Sequence, residues 1–229
     1  MRKLEDIVKR QFTRSELDRE FLRCCAVNEE RAITETPIIT LSRQMGSGGA
    51  TIGKIVANEL KFIFYDREII EHIARETGSS KEHIARQEDT SRDVVGNLVL
   101  NLLDSRHVTD AVYARSLIRI LRTIAEEGRA VIIGRGGSCI LPQSLRIRIV
   151  APFDLRVQRM ALLRSIDEKA ARNLVLETDH ARKRFLRGFF GCDPNDALLY
   201  DLIINTGSFS LDHAAELIIA RVRQIWKEG

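Results

Sequence analysis

The sequence has few of the features that mark extracellular, metal-binding or membrane-spanning proteins. Its 229 residues include four cysteines, Cys24, Cys25, Cys139 and Cys192, and no CxxC pair. This pattern indicates neither a zinc knuckle nor a disulfide framework, so we expect free thiols. No apolar stretch is long enough to span a bilayer, and charges run through residues 1–20, where a signal peptide would have an apolar core. We therefore expect a cytoplasmic protein without a membrane partner.

Other absences exclude whole classes of chemistry. The five histidines have no spacing typical of metal ligands, and no Ser/His/Asp or Cys/His arrangement is visible. The formal net charge is only +4, and no basic run is interleaved with aromatic residues, which make up 6% of the chain. We therefore expect no nucleic-acid partner, whereas a small polyanionic ligand fits the mild positive excess.

The composition and the apolar pattern indicate an α/β fold. The chain is 44% hydrophobic and 30% charged, as expected of a globular protein with a substantial core. Five short apolar runs alternate with helical segments, which predicts a parallel sheet of five strands covered on both faces. These runs are PIITL, FIFYD, AVIIG, RIRIV and DLIIN.

The segment before the first strand is predicted to be a separate helical extension. Leu4, Ile7, Val8 and Phe12 recur at helical spacing, so residues 1–36 are read as an N-terminal helical extension. It can dock on the main domain or form a homodimer contact, and both alternatives stay open. Residues 37–229 form the main domain, in which a long helical region from about 67 to 128 is read as an insertion between strands.

One stretch has the pattern of a strand, a glycine turn and a helix: ITLSRQMGSGGATIGKIVANEL, Ile39 to Leu60. Glycines let backbone N–H groups close on phosphate oxygens, and the N-terminus of the following helix favours the same anion. Thr51 can hold a magnesium ion directly or through water. The alternative is a tight turn that binds nothing. The candidate cofactor-binding residues are Gly46, Ser47, Gly48, Gly49, Ala50 and Thr51.

Five motifs carry a resemblance to a known family. SRQMGSGG, Ser42 to Gly49, resembles the phosphate-binding loop of nucleoside monophosphate kinases, most closely that of the group called cytidylate kinase-like proteins. Four further stretches are similar to that group in the same order: FYDREII, VIIGRGG, DHARKRF and YDLIINTGSFSLDHAAELI. Together they span most of the chain from Pro37 onward.

The resemblance implies a P-loop three-layer fold with a helical acceptor-binding region at about 67–128 and a lid at about 160–190. It implies an ATP-dependent kinase that uses Mg²⁺ and transfers a phosphoryl group in line to a nucleoside monophosphate, with CMP or dCMP as the first choice. The implied catalytic residues are Arg43, Arg135, Arg182 and Arg184, and Asp179 is read as orienting a lid arginine. The implied acceptor-binding residues are Asp66, Arg67 and Arg135.

The loop departs from the ordinary phosphate-binding loop at one position, because Gly49 stands where such loops usually have a lysine. Arg43 either restores the missing charge or ties the loop to an acidic neighbour. For Asp66 the alternative is helix capping, for Arg67 a solvated surface position, and for Arg135 a loop salt bridge. The chain is therefore either a phosphotransferase or a nucleotide-binding sensor or regulator without turnover. A P-loop transferase with another anionic donor is a third, weaker hypothesis.

Overall fold

The computed structural model describes residues 36–66 and 107–226, which form a five-stranded parallel sheet between layers of helices. The strands are β1 (Ile38–Arg43), β2 (Ile63–Tyr65), β3 (Ala130–Ile133), β4 (Leu145–Val150) and β5 (Leu202–Asn205). The helices of this part of the chain are α1 (Gly49–Leu60), α2 (His107–Glu127), α3 (Gly137–Ile140), α4 (Phe153–Arg164), α5 (Glu168–Phe190) and α6 (Leu211–Ile225), with a 3-10 turn at Ala197–Leu199.

The sheet has the order β2-β3-β1-β4-β5, and all four pairings are parallel. Each of the five predicted strands is present within one or two residues of its apolar run. The prediction of a five-stranded parallel α/β fold is therefore confirmed. β1 lies at the centre, so its carboxyl end is flanked by those of β3 and β4.

Both faces of the sheet are buried, because alternate strand residues point to opposite sides. On one face Ile39, Leu41 and Ile147 pack with α1 and α6. On the other face Ile38 and Ile132 pack with α2, α3 and the end of α5. These five side chains are at most 1% exposed. The predicted three-layer arrangement follows from these two cores.

The chain after β4 forms a pair of helices, α4 and α5, with their own small core. Val157 and Met160 of α4 pack there against Ala171 and Val175 of α5. Met45, in the glycine turn after β1, packs against the same cluster. The helix pair is therefore attached to the turn by apolar contact as well as by the polar contacts described below.

Side-chain caps and a glycine set the helix ends. Serine is a preferred N-cap residue, and Ser210 begins α6, where its Oγ accepts the His213 N–H at 3.2 Å. Asp167 caps α5 by accepting the Ala170 N–H at 2.8 Å. Gly191 ends α5 in the left-handed region, at φ 64°.

Several predictions fall outside the described residues. They are the helical extension up to residue 35, the helix and acceptor-binding region at 67–106, and the candidate Arg67. The division into an extension and a main domain stays a prediction. Within residues 36–66 and 107–226, no helix has both the length and the apolar character needed to cross a bilayer.

The central strands predict a sharp difference between two apolar substitutions. Ile147→Ala should lower the free energy of unfolding by about 2–5 kcal/mol, because Ile147 is fully buried in β4. Leu162→Ala is the control, since Leu162 is 85% exposed and should change stability by less than about 0.5 kcal/mol. Urea denaturation measures both, and equal effects would contradict the assignment of this core.

Candidate functional site

The glycine turn between β1 and α1 is tightly enclosed by its neighbours. Gly46 and Gly48 have φ values of 76° and 81°, in the left-handed region that favours glycine. A Cβ on Gly46 would lie 2.6 Å from the Arg156 carbonyl oxygen, and a Cβ on Gly48 would collide with Leu211. Gly48 is the N-cap of α1 and supplies no side-chain cap. The first N–H groups of α1 therefore suit an anion at the turn.

The position of Arg43 explains why residue 49 is a glycine. Gly49 has helical backbone, but a Cβ at this position would lie 2.6 Å from Arg43 Cβ and 3.1 Å from Arg43 Cγ. The stem of Arg43 thus occupies the space into which a residue 49 side chain would extend. Glycine at 49 and arginine at 43 form one steric arrangement, and a lysine at 49 does not fit beside Arg43.

The guanidinium of Arg43 reaches across the carboxyl edge of the sheet. It lies against Gly134, where a Cβ would collide with Nη1, and its Nη2 is 4.0 Å from Asp66 Oδ1. Burial lowers the pKa of Arg43, Asp66 raises it, and Arg135 lowers it again. The group stays charged, because an arginine pKa lies far above neutrality. The two alternatives for Arg43 are thus compatible: it contacts an acidic neighbour and also lines the pocket.

Arg135 lies in a strained turn after β3. Gly134, Arg135 and Gly136 all have positive φ values, of 71°, 52° and 73°. A left-handed conformation is costly for arginine and is typical of functional sites. Its Nη2 is buried without a hydrogen-bond partner in the described part of the chain. A buried donor of this kind calls for a ligand acceptor.

Arg182, in α5, lies at the same carboxyl edge of the sheet. Its Nη1 donates to the Arg43 carbonyl oxygen at 3.1 Å, and its Nη2 lies 3.8 Å from Met45 Sδ. Burial lowers the pKa of Arg182, and the nearby Arg43 lowers it further. Arg184 differs: two residues further along the helix, it is exposed and lines neither of the pockets described below. The expectation that both lid arginines reach the site does not fit this geometry, because residues two apart lie on opposite sides of a helix.

Asp179 holds the turn and the two lid helices together. It accepts the Met45 N–H at 2.8 Å and the Arg156 Nη1–H at 2.5 Å, and it lies 3.7 Å from Arg182 Nη1. Its predicted role of orienting a lid arginine fits these contacts. Arg156 also donates to the carbonyl oxygens of Met45 and Ala151, at 3.2 and 3.1 Å. Arg156 is therefore a structural residue.

A further arginine was missed by sequence reasoning. Arg148, in β4, is only 8% exposed, and its Nη1 donates to Ser42 Oγ at 2.7 Å. Its Cζ lies 5.7 Å from the centroid of the Tyr200 ring. Burial raises the pKa of Tyr200, whereas Arg148 lowers it. The one signal in the sequence for Arg148 was its charge, because it lies in the RIRIV strand at a position that a parallel sheet normally buries.

Two pockets meet at these arginines and share Arg43, Arg148 and Arg182. The first, which we call the inner pocket, lies at the turn after β3 and is lined by Asp66, Arg135, Phe185, Leu186 and Tyr200, among others. The second, which we call the outer chamber, has a volume of about 230 Å³. It is lined by Asp179, His180, Lys183, Pro194 and Asn195, together with the shared arginines.

The remaining candidates of the loop differ in exposure. Ala50 and Thr51 are exposed in the first turn of α1, whereas Ser47 is fully buried and donates from Oγ to the Gln44 carbonyl oxygen at 2.9 Å. Lys54 points away from the turn, with its Nζ 5.8 Å from the centroid of the Phe64 ring, so it does not replace the loop lysine.

No cluster of three His, Cys, Asp or Glu side chains suited to a metal occurs in the described residues. Cys139 and Cys192 are both buried. A hydrogen bond with Cys139 lowers the pKa of Cys192.

Comparison with known proteins agrees with this architecture. Residues 38–208 match the model of the cytidylate kinase-like family. A cytidylate kinase from Pyrococcus horikoshii is 29% identical over 189 residues, covering 81% of this chain and 88% of the relative. One from Methanopyrus kandleri is 25% identical over 198 residues, covering 81% and 92%. The crystal structure of an uncharacterized Eubacterium ventriosum protein shares the fold, with TM-score 0.64, 24% identity and coverage of 82% and 99%.

The contact between Arg43 and position 49 predicts a specific double-mutant result. Gly49→Lys should lower the free energy of unfolding by about 1–3 kcal/mol, because the new side chain collides with the Arg43 stem. Arg43→Gly removes that stem, so the double variant should be more stable than the sum of the two single effects predicts. Urea denaturation of the four proteins measures this. Additive effects would show that the two positions do not compete for space.

Proposed function

Because the chain belongs to the cytidylate kinase-like family, we propose that it is a kinase that transfers the γ-phosphoryl group of ATP to a small acceptor. The proposed acceptor is a nucleoside monophosphate, with CMP or dCMP as the first choice, or a related small phosphate-bearing or hydroxyl compound. Its similarity to cytidylate kinases supports the kinase class. The geometry of the arginines supports the residue roles given below.

The observation that carries the proposal is an excess of positive charge at one sheet edge. Four guanidinium groups line the inner pocket, those of Arg43, Arg135, Arg148 and Arg182, with Asp66 as the carboxylate among its described lining residues. The lowered pKa values of Arg43 and Arg182 have the same origin, burial among other cations. Phosphoryl transfer is catalysed mainly by positioning and by fixed positive charge, which this edge supplies.

The glycine turn is the proposed donor site. Backbone N–H groups from Gly46 to Thr51 would hold the donor phosphates at the N-terminus of α1. The tight enclosure of Gly46 and Gly48 fixes this backbone before a ligand arrives. Mg²⁺, when bound, would neutralise charge on the phosphates. Thr51 and Asp66 are the described residues proposed to hold it, directly or through water.

Arg43 is proposed to do the work of the loop lysine. It comes from the opposite side of the same space and delivers a planar group that binds two oxygens at once. Arg182 is proposed to stabilise the transferring phosphoryl group from α5. Asp179 keeps this helix bound to the loop through Met45.

Arg135 is the proposed acceptor-phosphate residue. Its strained backbone and its unpartnered buried donor are best explained by an anion that occupies the inner pocket. Asp66 is proposed to contact the acceptor from the end of β2. Arg67, adjacent in sequence, stays a prediction, as do the cytoplasmic location and a homodimer through the N-terminal helices.

A second candidate function is a nucleotide-binding sensor or regulator without turnover. Two observations favour it. Gly49 leaves the loop without its lysine, and α5 is already bonded to the loop through Asp179 and Arg182. A protein of this kind would bind nucleotide through the turn without turnover.

A coupled ADP-release assay separates the two functions. The protein is tested with ATP and Mg²⁺ against CMP, dCMP, UMP, AMP and GMP, and nucleotide binding is measured by calorimetry. We expect turnover with at least one acceptor, and the largest rate identifies it. ATP binding without turnover for the whole panel would favour the sensor. The absence of both ATP binding and turnover would refute both functions.

The two arginines of α5 give a matched pair of variants. Arg182→Ala should lower turnover by about 10²–10³-fold, as expected when one donor to the transferring group is lost. Arg184→Ala removes the same charge two residues away, from an exposed position, and should keep most of the activity. The readout is turnover per folded molecule, with circular dichroism as the check on folding. A larger loss for Arg184→Ala would mean that the working lid differs from the described arrangement.

A further inference from the structure

The outer chamber lies between α5 and the segment at Pro194 and Asn195, and the proposed transfer reaction does not explain it. It is lined by neither the glycines of the turn after β1 nor those of the turn after β3. Lys183 and His180 of α5 line it together with Arg148 of β4. It therefore shares Arg43, Arg148 and Arg182 with the inner pocket, and His180 and Lys183 of α5 line only the outer chamber.

Arg148 is a buried cation whose charge is not neutralised by a described carboxylate. Its contacts in the described residues are the hydrogen bond to Ser42 and the ring of Tyr200. Arg146, two residues earlier in the same strand, shows the contrasting case: it is paired with Asp201, through Nη2 at 3.2 Å and its backbone N–H at 2.8 Å. A buried charge is costly unless it is paired. An anion bound beside Arg148 would neutralise this charge.

The other charges of the outer chamber point to the same kind of ligand. Four of its lining residues carry positive charge, Arg43, Arg148, Arg182 and Lys183, against one carboxylate, Asp179. That carboxylate is already engaged by Arg156 and Met45. Lys183 has a partner, Asp193, at 3.6 Å, which holds its amine near the chamber wall.

We infer that the outer chamber is a second oxyanion site, in which Arg148 and Lys183 bind a phosphate or carboxylate group. Ser42 fixes one edge of the Arg148 guanidinium, and Tyr200 packs against the group. The other donors, Nε and Nη2, have no described hydrogen bond, and a planar fork of this kind suits two oxygens of one anion. This inference does not depend on whether the chain transfers phosphoryl groups. The occupant of the outer chamber is either a second anionic group of the acceptor or a separate small anion.

The test is a calorimetric titration with inorganic phosphate and, separately, citrate, at constant ionic strength. It is run on the free protein and again with saturating AMP-PNP and Mg²⁺, so that the donor site is filled. We expect Arg148→Met to lower phosphate affinity at least tenfold, Arg148→Lys to lower it less, and Lys183→Met to lower it severalfold. Arg221→Met, on the exposed side of α6, removes one charge elsewhere and should change little.

Thermal unfolding separates a binding role from a structural one. Without anion, Arg148→Met should melt at or above the wild-type temperature, because it removes an unpaired buried charge. Its melting temperature should no longer rise with phosphate, whereas that of the wild type should. Wild-type phosphate affinity in Arg148→Met and Lys183→Met would overturn the inference, as would an equal loss in Arg221→Met. If Arg148→Met does not fold, Arg148→Lys and Lys183→Met decide the question.

Competition identifies the source of the anion. If an acceptor from the nucleotide panel displaces phosphate, the chamber holds a second anionic group of that acceptor. If phosphate binds equally well with the acceptor present, the chamber holds a separate ligand. In either case an ATP analogue that fails to bind would refute the proposed donor site but not the oxyanion site, because the titration of the free protein still reports on Arg148.

Discussion

The competition of Arg43 and residue 49 for one volume is the constraint on which the rest of the site depends. Arg43 ends the central strand, and its stem lies where a side chain at 49 would start. Arg43 therefore requires a glycine at position 49. The loop has no lysine, but Arg43 brings a positive charge from the end of β1. The same side chain explains Gly134, because the Arg43 guanidinium lies against that glycine. Arg43 thus restricts two other positions, Gly49 at the start of α1 and Gly134 in the turn after β3.

A second consequence concerns charge. The parallel sheet brings the carboxyl ends of β1, β2 and β3 together, and α5 adds Arg182 from above the loop. Positive groups exceed carboxylates at this edge, and burial, together with the neighbouring cations, lowers the pKa values of Arg43 and Arg182. The protein can hold these cations because Asp179 and the apolar contact of Met45 with the α4–α5 core fix their surroundings. The stored repulsion favours polyanionic ligands over neutral ones.

The sequence predicts the parts of this structure that depend on local pattern. The five strands, the glycine turn and the Ser210 cap follow from apolar periodicity and from the known preferences of turn and cap residues. The contacts that depend on packing could not be predicted. In the sequence, Arg156 is one of several charged residues in a helical stretch, and only the structure shows its bond to Asp179. Likewise, the distinction between Arg182 and Arg184 depends on how α5 is rotated against the loop. Arg148 lies in an alternating strand whose two faces sequence alone does not tell apart.

The most direct test of the account is the turnover of Arg43→Gly, with and without Gly49→Lys, measured per folded molecule with the best acceptor. If Arg43 does the work of the loop lysine, Arg43→Gly should lose about 10²–10³-fold in turnover, and the added lysine should restore much of it. The restored activity would show that the two positions supply the same charge to the same phosphates. Wild-type turnover in Arg43→Gly would contradict the account, and so would a double variant no more active than Arg43→Gly.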